Sequence, residues 1–156
     1  VQESLLRTAD IPASNVHPIP TDTASPGAAA AAYTDTLRQF FADRATTFDL
    51  ALLGLGGDGH TASLFPETPT LGASDDWVRV VEAPPRHDIS TRLTCSLPVL
   101  NGARRALFLV AGSRKRDALR RVLDEQDASL PGTHVQPREQ VDWYVDRAAR
   151  PATGTT

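Results

Sequence analysis

The most regular feature of the chain is an alternation of apolar runs with amphipathic stretches. "FDLALLGLG" (48–56) is a continuous apolar run that ends in glycines, which is typical of a parallel strand buried on both faces. "RALFLVAG" (105–112) has the same character. Three shorter strands are predicted in "WVRVVEAP" (77–84), "TRLTCSL" (91–97) and "VDWYVDRAA" (141–149).

Helical periodicity occupies much of the remaining sequence. A long helix is predicted within 21–45, with Ser25 as its N-cap and Pro26 at its first position. A second is predicted over 113–126, and "PVLNGA" (98–103) predicts a short helix or turn. The first ten residues have the pattern of a helix end. The residues expected to face the core are Tyr33, Leu37, Phe40 and Phe41 in the long helix, and Leu119, Val122 and Leu123 in the second.

Strands that alternate with helices indicate an α/β fold with a mostly parallel sheet and flanking helices. The sequence contains no internal repeat and no stretch with the composition of an interdomain linker. We therefore expect one domain over 1–149, followed by a disordered tail at 150–156.

Charge and composition exclude several partners. The net charge of −3 gives no basic field that would attract nucleic acid. No apolar run approaches the ~18 residues of a membrane span, and no signal peptide is recognisable. The single cysteine, Cys95, is expected to be a buried thiol in a reducing compartment. A cytoplasmic protein that binds neither nucleic acid nor membranes is therefore expected.

The histidines do not have the spacing of metal ligands, so no metal site is predicted. Three of the four are expected to be surface or turn residues: His17, His87 and His134.

"LLGLGGDGHTASLFP" (52–66) has two interpretations. Gly54, Gly56 and Gly59 match the G-x-G-x-x-G pattern of dinucleotide-binding turns. That turn must open a full crossover helix, which needs a dozen or more residues. Only six residues separate Gly59 from Pro66. The sequence context therefore argues against a dinucleotide site.

The second interpretation is an acid–imidazole pair on a tight turn. A parallel strand ends at the crevice where α/β proteins bind ligands. The glycines let backbone N–H groups approach an anion, and "HTASLF" (60–65) is expected to begin a short helix. His60 could then act as a general base beside Asp58. The alternative is that Asp58 only caps the turn and His60 is a polar loop residue.

The same glycine-rich stretch resembles the signature of the 6-phosphogluconolactonases, which share their fold with the glucosamine-6-phosphate deaminases. The continuation from Thr61 to Pro66 resembles the lactonase branch. "NVHPIP" (15–20), the segment 91–123 and "VDWYVDRAA" resemble further parts of the family pattern, so the resemblance covers nearly all of 1–149.

The resemblance implies a Rossmann-like sheet and hydrolysis of 6-phosphoglucono-1,5-lactone in the oxidative pentose phosphate pathway. His60 would activate water and Asp58 would orient the site. Lys115 and Arg92 would hold the phosphate, which suits a point charge and a guanidinium fork. The remaining implied substrate-binding positions are Gly56, Gly57, Gly59 and Gly112. No cofactor is implied, and a monomer with a small sugar-phosphate lactone as its only partner is expected.

Two other functions stay open: a deaminase-like isomerase acting on glucosamine 6-phosphate, and a sugar-phosphate binder without catalysis. The family pattern also begins before position 1. It carries first strands, a phosphate loop and an acidic–arginine motif that have no counterpart in this sequence. The chain is therefore expected to be an N-terminally truncated form of the domain.

Overall fold

The chain forms the helices and strands that the hydrophobic pattern predicts, but in the part that the structure describes the first three strands follow one another without an intervening α-helix. The computed structural model describes residues 6, 8–42, 44–72 and 75–151. Within these ranges the α-helices are α1 (Pro26–Phe41), α2 (Leu97–Asn101) and α3 (Arg116–Leu123). The strands are β1 (Leu50–Gly54), β2 (Val78–Glu82), β3 (Thr91–Cys95), β4 (Arg105–Val110) and β5 (Gln140–Val145).

Three strands form a parallel sheet in the order β1–β4–β5. One face of this sheet carries the main core, in which the Phe108 and Trp143 rings stack 3.9 Å apart. Leu119 and Val122 of α3 belong to the same core cluster. The prediction of an α/β fold with a parallel sheet and flanking helices is confirmed.

The other two strands are not part of that sheet. β2 and β3 pair antiparallel and form a separate two-stranded sheet. α1 packs against it, where Leu37 and Phe41 form a second core cluster with Val78. The helix begins where the sequence predicts, because the Ser25 Oγ accepts a hydrogen bond from the Ala28 N–H at 3.2 Å.

The prediction that the two apolar strands are buried on both faces is wrong. Leu52 on β1 is 61% exposed and Leu109 on β4 is 52% exposed. In a parallel pair the register sets which side chains share a face, and these two lie with Tyr144 of β5 on the side opposite the core. No helix of the described residues covers this side, so an apolar surface stays accessible.

Single positions in the helices also differ from the prediction. Leu37 and Phe41 of α1 are buried, but Phe40 is 50% exposed because it lies at the edge of the apolar face. In α3, Leu119 and Val122 are buried whereas Leu123 is partly exposed. The predicted helix end at 1–10 and the predicted tail from 150 lie mostly outside the described residues.

None of the helices that the structure describes is both long and apolar enough to cross a lipid bilayer.

Candidate active site

The carboxyl end of β1 opens into a glycine-rich loop that carries Asp58 and His60. Gly56 is required there for space, because a Cβ at this position would overlap the His60 ring and the Asp58 carboxylate. Gly59 has a φ of +83°, and its missing Cβ leaves room for Leu130. Both glycines therefore fold the loop back so that the two polar side chains meet.

Asp58 and His60 form a hydrogen-bonded pair, called the dyad below. The Asp58 Oδ1 lies 2.6 Å from the His60 Nδ1 and also accepts the His60 backbone N–H at 3.2 Å. An ionised carboxylate can only accept hydrogen bonds, so Nδ1 carries the ring proton. The His60 Nε2 is then left with a lone pair.

The pKa values of the dyad move in the directions that this arrangement requires. Burial tends to raise the pKa of Asp58, but hydrogen bonds from Arg86 and His60 outweigh it and lower the pKa well below the ordinary range. Burial lowers the pKa of His60; the Asp58 carboxylate opposes this, while His87 and Lys115 add to it. An ionised acid and a neutral imidazole are the result at neutral pH.

The expected short helix after His60 is absent. Thr61 and Leu64 form an isolated antiparallel bridge around a tight turn. Leu64 and Phe65 are completely buried, and the Thr61 hydroxyl donates to the Gly54 carbonyl at 2.9 Å. Burial of these side chains outweighs the local helix propensity, so no helix N-terminus faces the site. Instead, the Phe65 ring packs 4.9 Å from the His60 ring.

The loop uses two of its glycine N–H groups internally. The Gly56 N–H donates to the His60 carbonyl at 2.7 Å, and the Gly59 N–H donates to the Gly56 carbonyl at 3.1 Å. These two residues consequently shape the loop through space and conformation, rather than through amides directed at an anion.

Lys115 follows the adjacent strand, β4, on the same edge of the sheet. The turn that carries it begins at Gly112, whose φ is +93° and whose N–H donates to both Asp146 carboxylate oxygens at 3.1 Å. A Cβ on Gly57 would lie 3.3 Å from the Arg114 carbonyl, so the two loops touch. The positive charge of Lys115 is one of the influences that lower the pKa of His60.

Arg92 reaches the site from β3. Its guanidinium carbon lies 5.6 Å from the centre of the Phe65 ring, and its Nε donates to the Ile89 carbonyl at 3.1 Å. It also lines a cavity of about 540 Å³ that extends to Ser25 at the start of α1. Arg92 therefore contacts Phe65, the ring that also packs against His60.

Two further residues of the site were not predicted. Arg86 hydrogen-bonds the Asp58 Oδ2, and the His87 Nε2 lies 3.7 Å from the same oxygen. His87 was expected at the surface or in a turn. It does lie in a loop, but its side chain is only 17% exposed and packs on His60 and Phe65. No sequence motif links these residues to the glycine-rich loop.

A metal ion does not fit this cluster well. Among the described residues, Asp58, His60 and His87 form the one group whose donor atoms lie close enough together, within 4.8 Å. Both Asp58 oxygens already accept hydrogen bonds, and Arg86 adds a permanent positive charge to one of them. A cation would have to displace that charge, so the donor set suits an acid–imidazole pair.

Fold and site together define an α/β protein with an acid–imidazole pair at the carboxyl edge of a parallel sheet. A family model described as "Glucosamine-6-phosphate isomerases/6-phosphogluconolactonase" matches residues 1–143. The chain belongs to this family.

The relatives agree with this assignment. A 6-phosphogluconolactonase of Synechocystis is 41% identical and one of rat is 42% identical, over 90% and 78% of this chain. The crystal structure of the Thermotoga maritima 6-phosphogluconolactonase superposes with a TM-score of 0.77 at 34% identity, over 92% of this chain and 62% of that one. The chain spans 59% of the Synechocystis protein and 48% of the rat protein.

Proposed function

We propose that the protein hydrolyses 6-phosphoglucono-1,5-lactone to 6-phosphogluconate, with His60 as the general base. The hydrogen bond of 2.6 Å between the Asp58 Oδ1 and the His60 Nδ1 carries this proposal. It assigns the ring proton to Nδ1 and leaves Nε2 able to accept a proton from water. Family membership supplies the class of substrate.

In the proposed reaction the His60 Nε2 takes a proton from water while the water oxygen bonds to the lactone carbonyl carbon. The carbonyl oxygen gains the negative charge. When the tetrahedral intermediate collapses, the bond from that carbon to the ring oxygen breaks, and His60 returns the proton to the ring oxygen. Asp58 stabilises the imidazolium between these two transfers.

Lys115 and Arg92 are proposed to hold the phosphate of the substrate. A phosphate dianion is bound by converging cationic donors. Arg92 lies on β3 against Phe65, the ring that packs on His60, and Lys115 lies on the turn that follows β4. Because these residues are proposed to bind substrate and His60 is proposed to act in the chemical step, their substitution should affect different kinetic constants. Loss of Lys115 should mainly raise KM, whereas loss of His60 should mainly lower kcat.

The first test compares His60→Gln with the unaltered protein in a lactone hydrolysis assay, after subtraction of the spontaneous rate. We expect kcat to fall by about 10²- to 10⁴-fold, the usual contribution of a general base. His17→Gln is the matched control, because His17 is exposed and its ring lies 5.7 Å from that of Phe40. Unchanged turnover in His60→Gln would remove the proposed base.

Because the chain spans only part of its relatives, the assay should be run in two forms. One is the 156-residue chain alone, and the other is the chain extended by the segment that the family pattern places before position 1. Catalysis in the extended form supports the proposal even where the chain alone is inactive. Ammonia release from glucosamine 6-phosphate, or binding without hydrolysis in both forms, would contradict it.

A further inference from the structure

The loop between β2 and β3 supplies a second set of contacts to the dyad. Arg86 lies 28 positions from Asp58 in the chain and hydrogen-bonds its Oδ2, whereas His60 uses Oδ1. The Arg86 side chain is 56% exposed and that of Asp58 is 22% exposed. Both oxygens of the carboxylate are therefore bound, Oδ2 by the solvent-exposed guanidinium and Oδ1 by the more buried imidazole.

We propose that Arg86 is a positioning residue that fixes the Asp58 carboxylate and weakens the affinity of His60 for a proton. The inference rests on the proposed function only for its kinetic consequence, since titration of His60 can be followed without substrate. The glycine-rich loop itself contains no Lys or Arg. The positive charge comes from the loop between β2 and β3, which tertiary packing places beside Asp58.

Arg86 and His60 share one negative charge, that of the Asp58 carboxylate. A lone carboxylate beside an imidazole stabilises the imidazolium form and makes the ring more basic. A guanidinium is always protonated, so Arg86 cancels much of the charge that Asp58 would otherwise present to His60. His60 can then remain neutral, and hence competent as a base, at a lower pH than the bare dyad would allow.

The other groups that face His60 do not replace this effect. His87 packs edge-on against the His60 ring at 5.2 Å, and Lys115 lies on the turn after β4; both oppose protonation of His60. Arg92 lies beside Phe65 rather than on the carboxylate. Among the described residues, Arg86 is the cation that hydrogen-bonds Asp58, so its removal should let the full charge of that carboxylate act on His60.

The test is an NMR titration of His60 in Arg86→Gln, with the signal assigned by its loss in His60→Gln. Glutamine keeps an amide donor near Asp58 but removes the charge. We expect the pKa of His60 to rise by about 1, because the negative charge of Asp58 then acts on the imidazole without compensation. A rise of this size is the lower end of the change that a nearby opposite charge causes. Arg86→Lys should stay near the unaltered protein, because the charge is retained even though the fork geometry is lost.

Arg104→Gln is the matched control, since Arg104 makes a solvent-exposed ion pair with Glu139 at 3.5 Å. It should leave the titration of His60 unchanged. Identical titration of His60 in Arg86→Gln and in the unaltered protein would overturn the proposal.

Kinetics give a second, separable readout in the catalytically active form of the protein. The acid limb of kcat/KM against pH should move to higher pH in Arg86→Gln, which lowers kcat/KM about tenfold below the pKa while leaving the alkaline plateau in place. A uniform loss at all pH values, with His60 titrating normally, would mean that Arg86 only packs there. If the NMR shift occurs but neither the chain alone nor its extended form hydrolyses the lactone, the positioning role stands and the proposed function fails.

Discussion

At the scale of single residues, the site depends on one glycine as much as on its polar groups. Gly56 lies under the dyad, and any side chain there would occupy the space of the His60 ring and the Asp58 carboxylate. Gly54, two positions earlier, has open space around the position of a Cβ. The two glycines are two positions apart at the end of β1, but a Cβ would overlap other atoms only at Gly56.

Gly56→Ala should therefore break the dyad, while Gly54→Ala should not. We expect Gly56→Ala to lose most of the catalysed rate, approaching the effect of His60→Gln, because His60 and Asp58 cannot keep their hydrogen bond. Gly54→Ala should keep its activity and change stability by less than about 1 kcal/mol. Activity assays and thermal unfolding of both variants provide the check. Equal activity of the two variants would contradict the assigned geometry.

At the scale of elements, the site is assembled where neighbouring strands end. The dyad follows β1, and the turn with Lys115 follows β4. Asp146 follows β5 and hydrogen-bonds that turn. Asp146 accepts the Gly112 N–H and also the Ala149 N–H at 2.7 Å. The position of Lys115 thus depends on a carboxylate from the next strand.

Asp146→Ala should loosen this turn and weaken binding of phosphate-bearing ligands. We expect the Kd for 6-phosphogluconate to rise about fivefold, which corresponds to loss of about 1 kcal/mol for one hydrogen bond. Asp117→Ala is the control, because Asp117 is an exposed residue that pairs with Arg120 on α3. Calorimetric titration measures both. A larger effect in Asp117→Ala than in Asp146→Ala would refute the argument.

At the scale of the whole molecule, the described residues cover only one face of the parallel sheet. Phe108 is fully buried on the core side, whereas its neighbours in sequence alternate to the other side, where Leu109 is 52% exposed beside the 62% exposed Tyr144. Contiguous apolar surface of this kind favours association with other apolar groups. The two faces of one strand therefore respond differently to substitution.

The double variant Leu52→Gln/Leu109→Gln should leave the free energy of unfolding of this chain within about 0.5 kcal/mol per substitution, because neither side chain is buried. It should also reduce binding of a hydrophobic dye and self-association. Phe108→Ala, on the core face, should cost about 3–5 kcal/mol. Urea unfolding and dye fluorescence test these expectations. A large loss of stability in the double variant would show that the face is covered.

Most of the local structure follows from the sequence because its causes are local. The Ser25–Pro26 start of α1, the five strands and the glycine-rich loop each depend on neighbouring residues. The dyad is of this kind as well, since Asp58 and His60 are two positions apart and the turn between them closes their hydrogen bond. Their catalytic roles remain predictions.

Tertiary structure alone decided three features. Whether Leu52 is buried depends on which elements cover the sheet, and hydrophobicity along the strand does not contain that information. Burial of Leu64 and Phe65 replaced the expected helix after His60 with a tight turn. Arg86 and His87 reach Asp58 because the antiparallel pairing of β2 and β3 folds their loop back over it. Contacts between residues so distant in the chain are set by packing of whole elements, so the sequence alone determined the dyad and the fold determined its electrostatic surroundings.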